Sequence, residues 1–178
     1  PMLAIIVGQL LMPEFERKNI EMLKANQVSM DKLYFGKLLS GFFLILSVQL
    51  FLLLIFVVAA KVDGISFDLS LAVHIKWLLL SVVASFPIMT LQSFVTAKTR
   101  NFSKVVGVAT IGSMLNFVLI FINENLTKFF PYSQPMIALR SRSLTDMSLI
   151  DLTIFLVVNS LYSLLFYKLT VAALKKNE

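Results

Sequence analysis

Hydrophobic and polar positions alternate along this chain in long blocks. Residues 38–60, 77–97, 105–122 and about 150–167 are apolar runs whose only charged side chain is Asp151. An α-helix rises 1.5 Å per residue, so crossing about 30 Å of hydrocarbon takes roughly 20 residues. Each block is therefore predicted to be a membrane-spanning helix. Trp77 stands at the edge of the second, where an indole anchors in the interface. Pro87 lies near the middle of that span and predicts a kink. Gly107 and Gly112 offer close-packing positions within the third.

The segments between the blocks are read from their breakers and charges. Residues 61–73 hold Gly64 and two aspartates and are expected to form a loop, and 98–104 form a short basic one. Residues 123–147 are semi-polar, with aromatic residues on both sides of Pro131. Residues 1–12 look like the second half of a membrane helix. With Pro1 in an apolar run, the expectation is an N-terminal truncation.

The exception is 14–37, EFERKNIEMLKANQVSMDKLYFGK, with five Lys/Arg and four Asp/Glu in 24 residues. Ile20, Leu23 and Val28 recur near helical spacing, among polar Arg17, Lys18, Glu21 and Lys24. Asn26-Gln27 interrupt the pattern. Ser29 is placed to cap a second helix, with Asp31 in its first turn. The segment reads as helix, break, helix.

Composition agrees. The chain is 58% hydrophobic, above the roughly 45–50% of soluble domains, which points to one polytopic all-α transmembrane domain over 1–178. Cysteine is absent and His74 is the one histidine, leaving no thiolate chemistry and no histidine cluster. His74 itself falls at the outer interface. The net charge of +6 could suggest nucleic acid, but the basic residues sit beside apolar spans and read as an orientation signal. With four spans, eleven Lys/Arg fall on one side (in 14–37, in 98–104, and Lys168, Lys175, Lys176). Five fall on the other: Lys61, Lys76, Lys128, Arg140 and Arg142. The richer side is predicted to be cytoplasmic, C-terminus included, in a cell membrane.

Enzyme signatures are missing. There is no H-E-x-x-H, no G-x-S-x-G and no acidic pair deep in a span. Gly36-Lys37 resembles the end of a phosphate loop, but Asp31 and Leu38 break that pattern. The expectation is no catalytic residue, no metal and no cofactor in this chain. Gln49, Thr90, Gln92, Asn116 and Asn159 are polar within spans; interhelical hydrogen bonding, worth around 0.6 kcal/mol each, is favoured over lining a substrate path.

Segment 14–28 could lie on anionic headgroups through Arg17, Lys18 and Lys24. Glu14, Glu16 and Glu21 are interleaved with those bases, however, and favour docking in a protein groove. The order of apolar span, Glu16, short helix through Lys24, break, then Ser29-x-x-Lys32-x-x-x-Gly36-Lys37-Leu38-Leu39 and a long span resembles ABC-2 type permease subunits. The short basic inner loop and the longer outer segment extend the resemblance over almost the whole chain. The small permeases of lantibiotic and bacitracin immunity are similar in that outer segment. There 126-LTKFFPYSQPMIAL-139, broken by Pro131 and Pro135, looks like short helices dipping back into the membrane.

The resemblance implies a coupling helix seated on a separate ATPase subunit, with Glu14, Glu16, Arg17, Ile20, Glu21, Leu23 and Lys24 as coupling residues. It implies a second permease chain and, in the outer segment, roles for Phe130, Pro131, Tyr132, Pro135 and Arg140. ATP and Mg would sit on the ATPase partner. The family has six spans, and four plus part of a fifth are present here. The implied function is export of an amphipathic antimicrobial peptide or other lipophilic substrate. The alternative is a non-transporting membrane scaffold or sensor that recruits a cytoplasmic partner through 14–28. A channel would want a continuous polar stripe, which the scattered Gln49, Gln92 and Asn116 do not supply.

Overall fold

A computed structural model describes residues 2–64, 71–139 and 147–176, and every regular element among them is helical. Helix α1 (Met2–Leu11) leads through a 3-10 segment (Met12–Lys18) into α2 (Asn19–Ala25). Three long helices follow, α3 (Met30–Val62), α4 (Leu71–Thr99) and α5 (Phe102–Ile122). A short helix α6 (Glu124–Thr127), a 3-10 turn (Pro131–Ser133) and α7 (Gln134–Ala138) precede α8 (Leu149–Lys175). Helices α3, α4, α5 and α8 are each long and apolar enough to cross a membrane, as a multi-pass, membrane-embedded protein requires.

The helices outrun the apolar blocks. Helix α3 continues to Val62, α4 begins six residues before Trp77, and α8 runs on to Lys175. Lys61, Lys76 and Lys168 interrupt a count of uncharged residues without interrupting the backbone ladder, because a lysine stem reaches along the helix and places its ammonium at the interface. Of the loop expected over 61–73, residues 61–62 belong to α3 and 71–73 to α4. Gly64, at φ 67°, lies just past the end of α3, where a left-handed residue follows a helix without steric penalty.

Helix α4 is the centre, packed by α1, α3, α5, α7 and α8. Pro87 has no N–H to offer the Val83 carbonyl, and α4 runs through it unbroken. Around it the buried hydroxyls bond back to their own helix: Ser81 to the Leu78 carbonyl (2.7 Å), Ser85 to Val82 (2.6 Å), Thr90 to Phe86 (2.9 Å). That pattern lets polar side chains sit in an apolar bundle at little cost. One core joins α1, α2, α3, α4 and α8 through Val7, Leu11, Ile20, Tyr34, Met89 and Leu174. A smaller one at the other end packs Ala84 of α4, Ala138 of α7 and Phe155 of α8.

Helix starts follow their caps. Asn101 Oδ1 accepts from the Lys104 N–H at 3.1 Å, and Ser148 Oγ from the Asp151 N–H at 3.1 Å. Ser29 occupies the capping position of α3 but its side chain makes no cap bond. The glycines of α5 part company. A Cβ on Gly112 would collide with the Tyr132 ring, whereas Gly107 has nothing within 4 Å. The close approach at Gly112 is to the segment after α6, not to another long helix.

Candidate functional site

Two regions stand out, one at each end of the bundle. The first is the basic end, where the chain from Met12 to Val28, the start of α3, the end of α4 and the end of α8 meet. Ile20 is buried in the shared core and Leu23 packs against it, so α2 is fastened to the long helices by its apolar face. Glu14 is also buried. Its carboxylate takes Lys37 Nζ of α3 at 2.5 Å and accepts from Asn19 Nδ2 at 2.7 Å. Asp31 pairs with Lys175 of α8 at 2.7 Å, and Lys24 Nζ donates to the Lys175 carbonyl at 3.3 Å. The Arg100 guanidinium lies over the Phe15 ring at 5.5 Å. Burial first, then the Arg100 charge, hold the Lys24 ammonium below its ordinary pKa.

The predicted coupling residues thus divide. Glu16, Glu21 and Met22 face outward. Glu14 and Ile20 face inward and stitch the segment to the bundle, while Leu23 and Lys24 are half-buried against it. Arg140 lies outside the described residues, as do the side chains of Arg17 and Lys18. Val28 is exposed and does not continue the Ile20–Leu23 stripe. Gln27 adopts φ 56°, which turns the chain between α2 and α3 so that helical spacing no longer holds across it.

The second region is the far end, where 123–139 folds back among α4, α5 and α8. Gly112, against the Tyr132 ring, is ten residues from either end of α5, a depth of about 15 Å. Asn159, on α8, lies as far from the start of its helix. Three polar side chains of the long helices hold the folded-back segment. Gln92 Nε2 donates to the Tyr132 hydroxyl, and Ser133 Oγ donates to Asn116 Oδ1. Asn159 Nδ2 donates to Gln134 Oε1 at 2.9 Å. The Gln134 amide in turn donates to the Lys128 and Phe130 carbonyls at 2.9 and 3.1 Å.

Pro131 opens the 3-10 turn and Pro135 falls in the first turn of α7. Both positions tolerate a residue without an N–H. The Phe130 and Tyr132 rings pack at 5.7 Å. Sequence reasoning located this segment but not its anchors. The polar residues it placed between spans instead bond the folded-back segment, at Gln92, Asn116 and Asn159. Gln134 and Ser133, buried and central to that network, carried no local signal. His74 stands at the same end, between the rings of Phe56 and Trp77 at 5.7 Å from each.

Beside the network, a cavity of about 370 Å³ opens between α6–α7 and the start of α8. Its apolar wall includes Met136, Ile137, Met147, Ile154 and Phe155. Its polar wall carries Glu124 and the ion pair of Lys128 with Asp151, 2.8 Å apart. Among the described residues no group of three or more His, Asp or Glu could hold a metal ion. The chain matches no protein-family model, no curated protein and no solved structure.

Proposed function

We propose that this chain is the membrane-spanning permease subunit of an ATP-driven exporter of the ABC-2 type, working with a separate ATPase subunit and a second permease chain. The basic end is then cytoplasmic. The observation that carries the reading is how the segment 12–28 is built. Its inward residues Glu14, Ile20 and Leu23 bind it to α3, α4 and α8, and its outward residues Glu16, Glu21 and Met22 form a mixed acidic and apolar face. A helix held that way transmits a push: an ATPase that moves α2 moves the ends of three long helices as one body. The transported class is an amphipathic antimicrobial peptide or another lipophilic molecule leaving the bilayer.

The test is co-purification. The chain, expressed from its complete gene with the ATPase encoded beside it, should retain that ATPase and support its ATP turnover. Glu16→Arg with Glu21→Arg should release it while leaving the inward contacts intact. A wild-type chain that holds no ATPase contradicts the reading and favours a scaffold that recruits some other cytoplasmic partner.

A further inference from the structure

We propose that a slot on α4, between α5 and α8 at the basic end, binds an anionic phospholipid, with its phosphate at Lys98 and one acyl chain along the slot. The neighbours of α4 define it. Phe94 packs against Phe166 of α8, ring centroids 5.9 Å apart, and Val95 packs against Val105 and Ala109 of α5. At 3.6 residues per turn, Pro87, Leu91 and Lys98 point between those two directions. In the far half of the bundle the same face of α4 is filled. Ala84 is fully buried with Ala138 of α7 and Phe155 of α8. Ser133 and Gln134 tie that filling segment to Asn116 of α5 and Asn159 of α8. In the basic half Leu91 and Phe94 stay half-exposed and Lys98 is exposed. What α7 closes at one end is open at the other.

Size and charge name the occupant. From Lys98 to Pro87, buried at the inner end, is eleven residues or about 16 Å. That is close to one leaflet's share of a hydrocarbon core of about 30 Å. Tyr162 and Phe166, stacked with planes 6° apart, extend the apolar wall on α8. The mouth is cationic. Lys98 Nζ leans back over the Phe94 ring, 5.8 Å from its centroid, which holds the ammonium at the slot. Lys104 stands on the adjoining flank of α5. It is two residues, about 200°, from Phe102, whose ring lies against Gly8 of α1, and so it points away from α1. No acidic residue lies on α4 or α5, and the one on α8, Asp151, is at the far end. The segment 12–28, with its glutamates, meets α4 at another face, through Ala97. A phosphate therefore gains lysine charge with no carboxylate of these three helices against it. A lipid supplies both that phosphate and a chain for the apolar floor. The site asks nothing of an ATPase or a second chain, and it stands or falls apart from the export reading.

Brominated-lipid quenching in liposomes tests the site on the full chain. Trp77→Phe removes the one native tryptophan, and Phe94→Trp or Tyr162→Trp then places a single reporter in the slot, on α4 or on α8. Phe43→Trp, exposed on the basic-end half of α3, reports ordinary lipid contact. Brominated phosphatidylglycerol, competing with phosphatidylcholine, should be preferred about fivefold at positions 94 and 162, the worth of one lysine at a membrane surface. At position 43 the two lipids should bind nearly equally. Lys98→Gln with Lys104→Gln should bring both slot positions down to the value at 43, and Lys98→Arg should keep the preference. Equal values at 94, 162 and 43 would mean annular contact alone and overturn the site. A preference at 94 and 162 that survives loss of both lysines would overturn it as well.

Discussion

Among the four long helices α3 holds the most apolar membrane-length stretch and α4 the least apolar, yet 6% of that stretch is buried in α3 against 61% in α4. In a soluble protein the order would be reversed, because water drives the greasiest helix inward. Lipid removes that drive: acyl chains are as apolar as leucine, so association falls to close packing and hydrogen bonding. Helix α4 has what those forces need. Ser81, Ala84, Ser85 and Ser93 are small and buried, and Gln92 and Thr96 are polar and fully buried. Helix α3 presents Phe43, Phe51, Leu54 and Val58 outward, and contributes to the core chiefly through its basic-end half, from Met30 to Ile45. The difference teaches that hydropathy along this chain measures contact with lipid, and that the centre is marked by small and polar residues.

The comparison can be broken most sharply at the outward face of α3. Phe51→Lys should lower membrane insertion by the equivalent of about 3 kcal/mol, the cost of a charge near the helix centre, read as the inserted fraction in a translocation assay. Insertion unchanged by the lysine would mean that Phe51 does not face lipid. Next in size, Gly112→Val places a branched side chain against the Tyr132 ring. Overpacking of this kind costs about 1–3 kcal/mol, here by displacing 131–133 and exposing them to protease at the far end. Thermal stability equal to wild type would show that the folded-back segment is not seated on α5.

Removing one network bond should do less. Tyr132→Phe takes the hydroxyl from Gln92 and should lower stability by about 0.6–1.7 kcal/mol in steric-trap or denaturant unfolding, the range for hydrogen bonds in membrane helices. Smallest of all, Leu54→Ala should change stability by less than about 0.5 kcal/mol, since that side chain meets lipid whether or not the bundle is assembled. A Leu54→Ala loss larger than that of Tyr132→Phe would invert the roles assigned to α3 and α4.

Much of this plan was legible beforehand, for reasons that particular residues make clear. The four spans and the break at Asn26-Gln27 follow from charge-free length and helix breakers, all local, whereas short helices in 126–139 were expected only from the family resemblance. The ends of α3, α4 and α8 did not follow, because Lys61, Lys76 and Lys168 look like boundaries to a hydropathy count although the ladder passes through them. Nor did the partners. Glu14 meets Lys37, Lys128 meets Asp151 and Asp31 meets Lys175 across 23 to 144 positions, and nothing local distinguishes a paired charge from a solvated one. The segment 12–28 shows both limits at once. Its helix could be read from Ile20 and Leu23, but a side chain's direction depends on the packing of α3 and α8, which turned Glu14 inward and left Glu16 and Glu21 outside.

The absence of native cysteine makes the most direct test simple. Single cysteines at Leu54 of α3 and Ser85 of α4, spin-labelled in liposomes, report oxygen and nickel-chelate access by electron paramagnetic resonance. The arrangement described here predicts high oxygen and low nickel access at position 54, and low access to both at position 85. High oxygen access at 85, equal to that at 54, would contradict a bundle centred on α4.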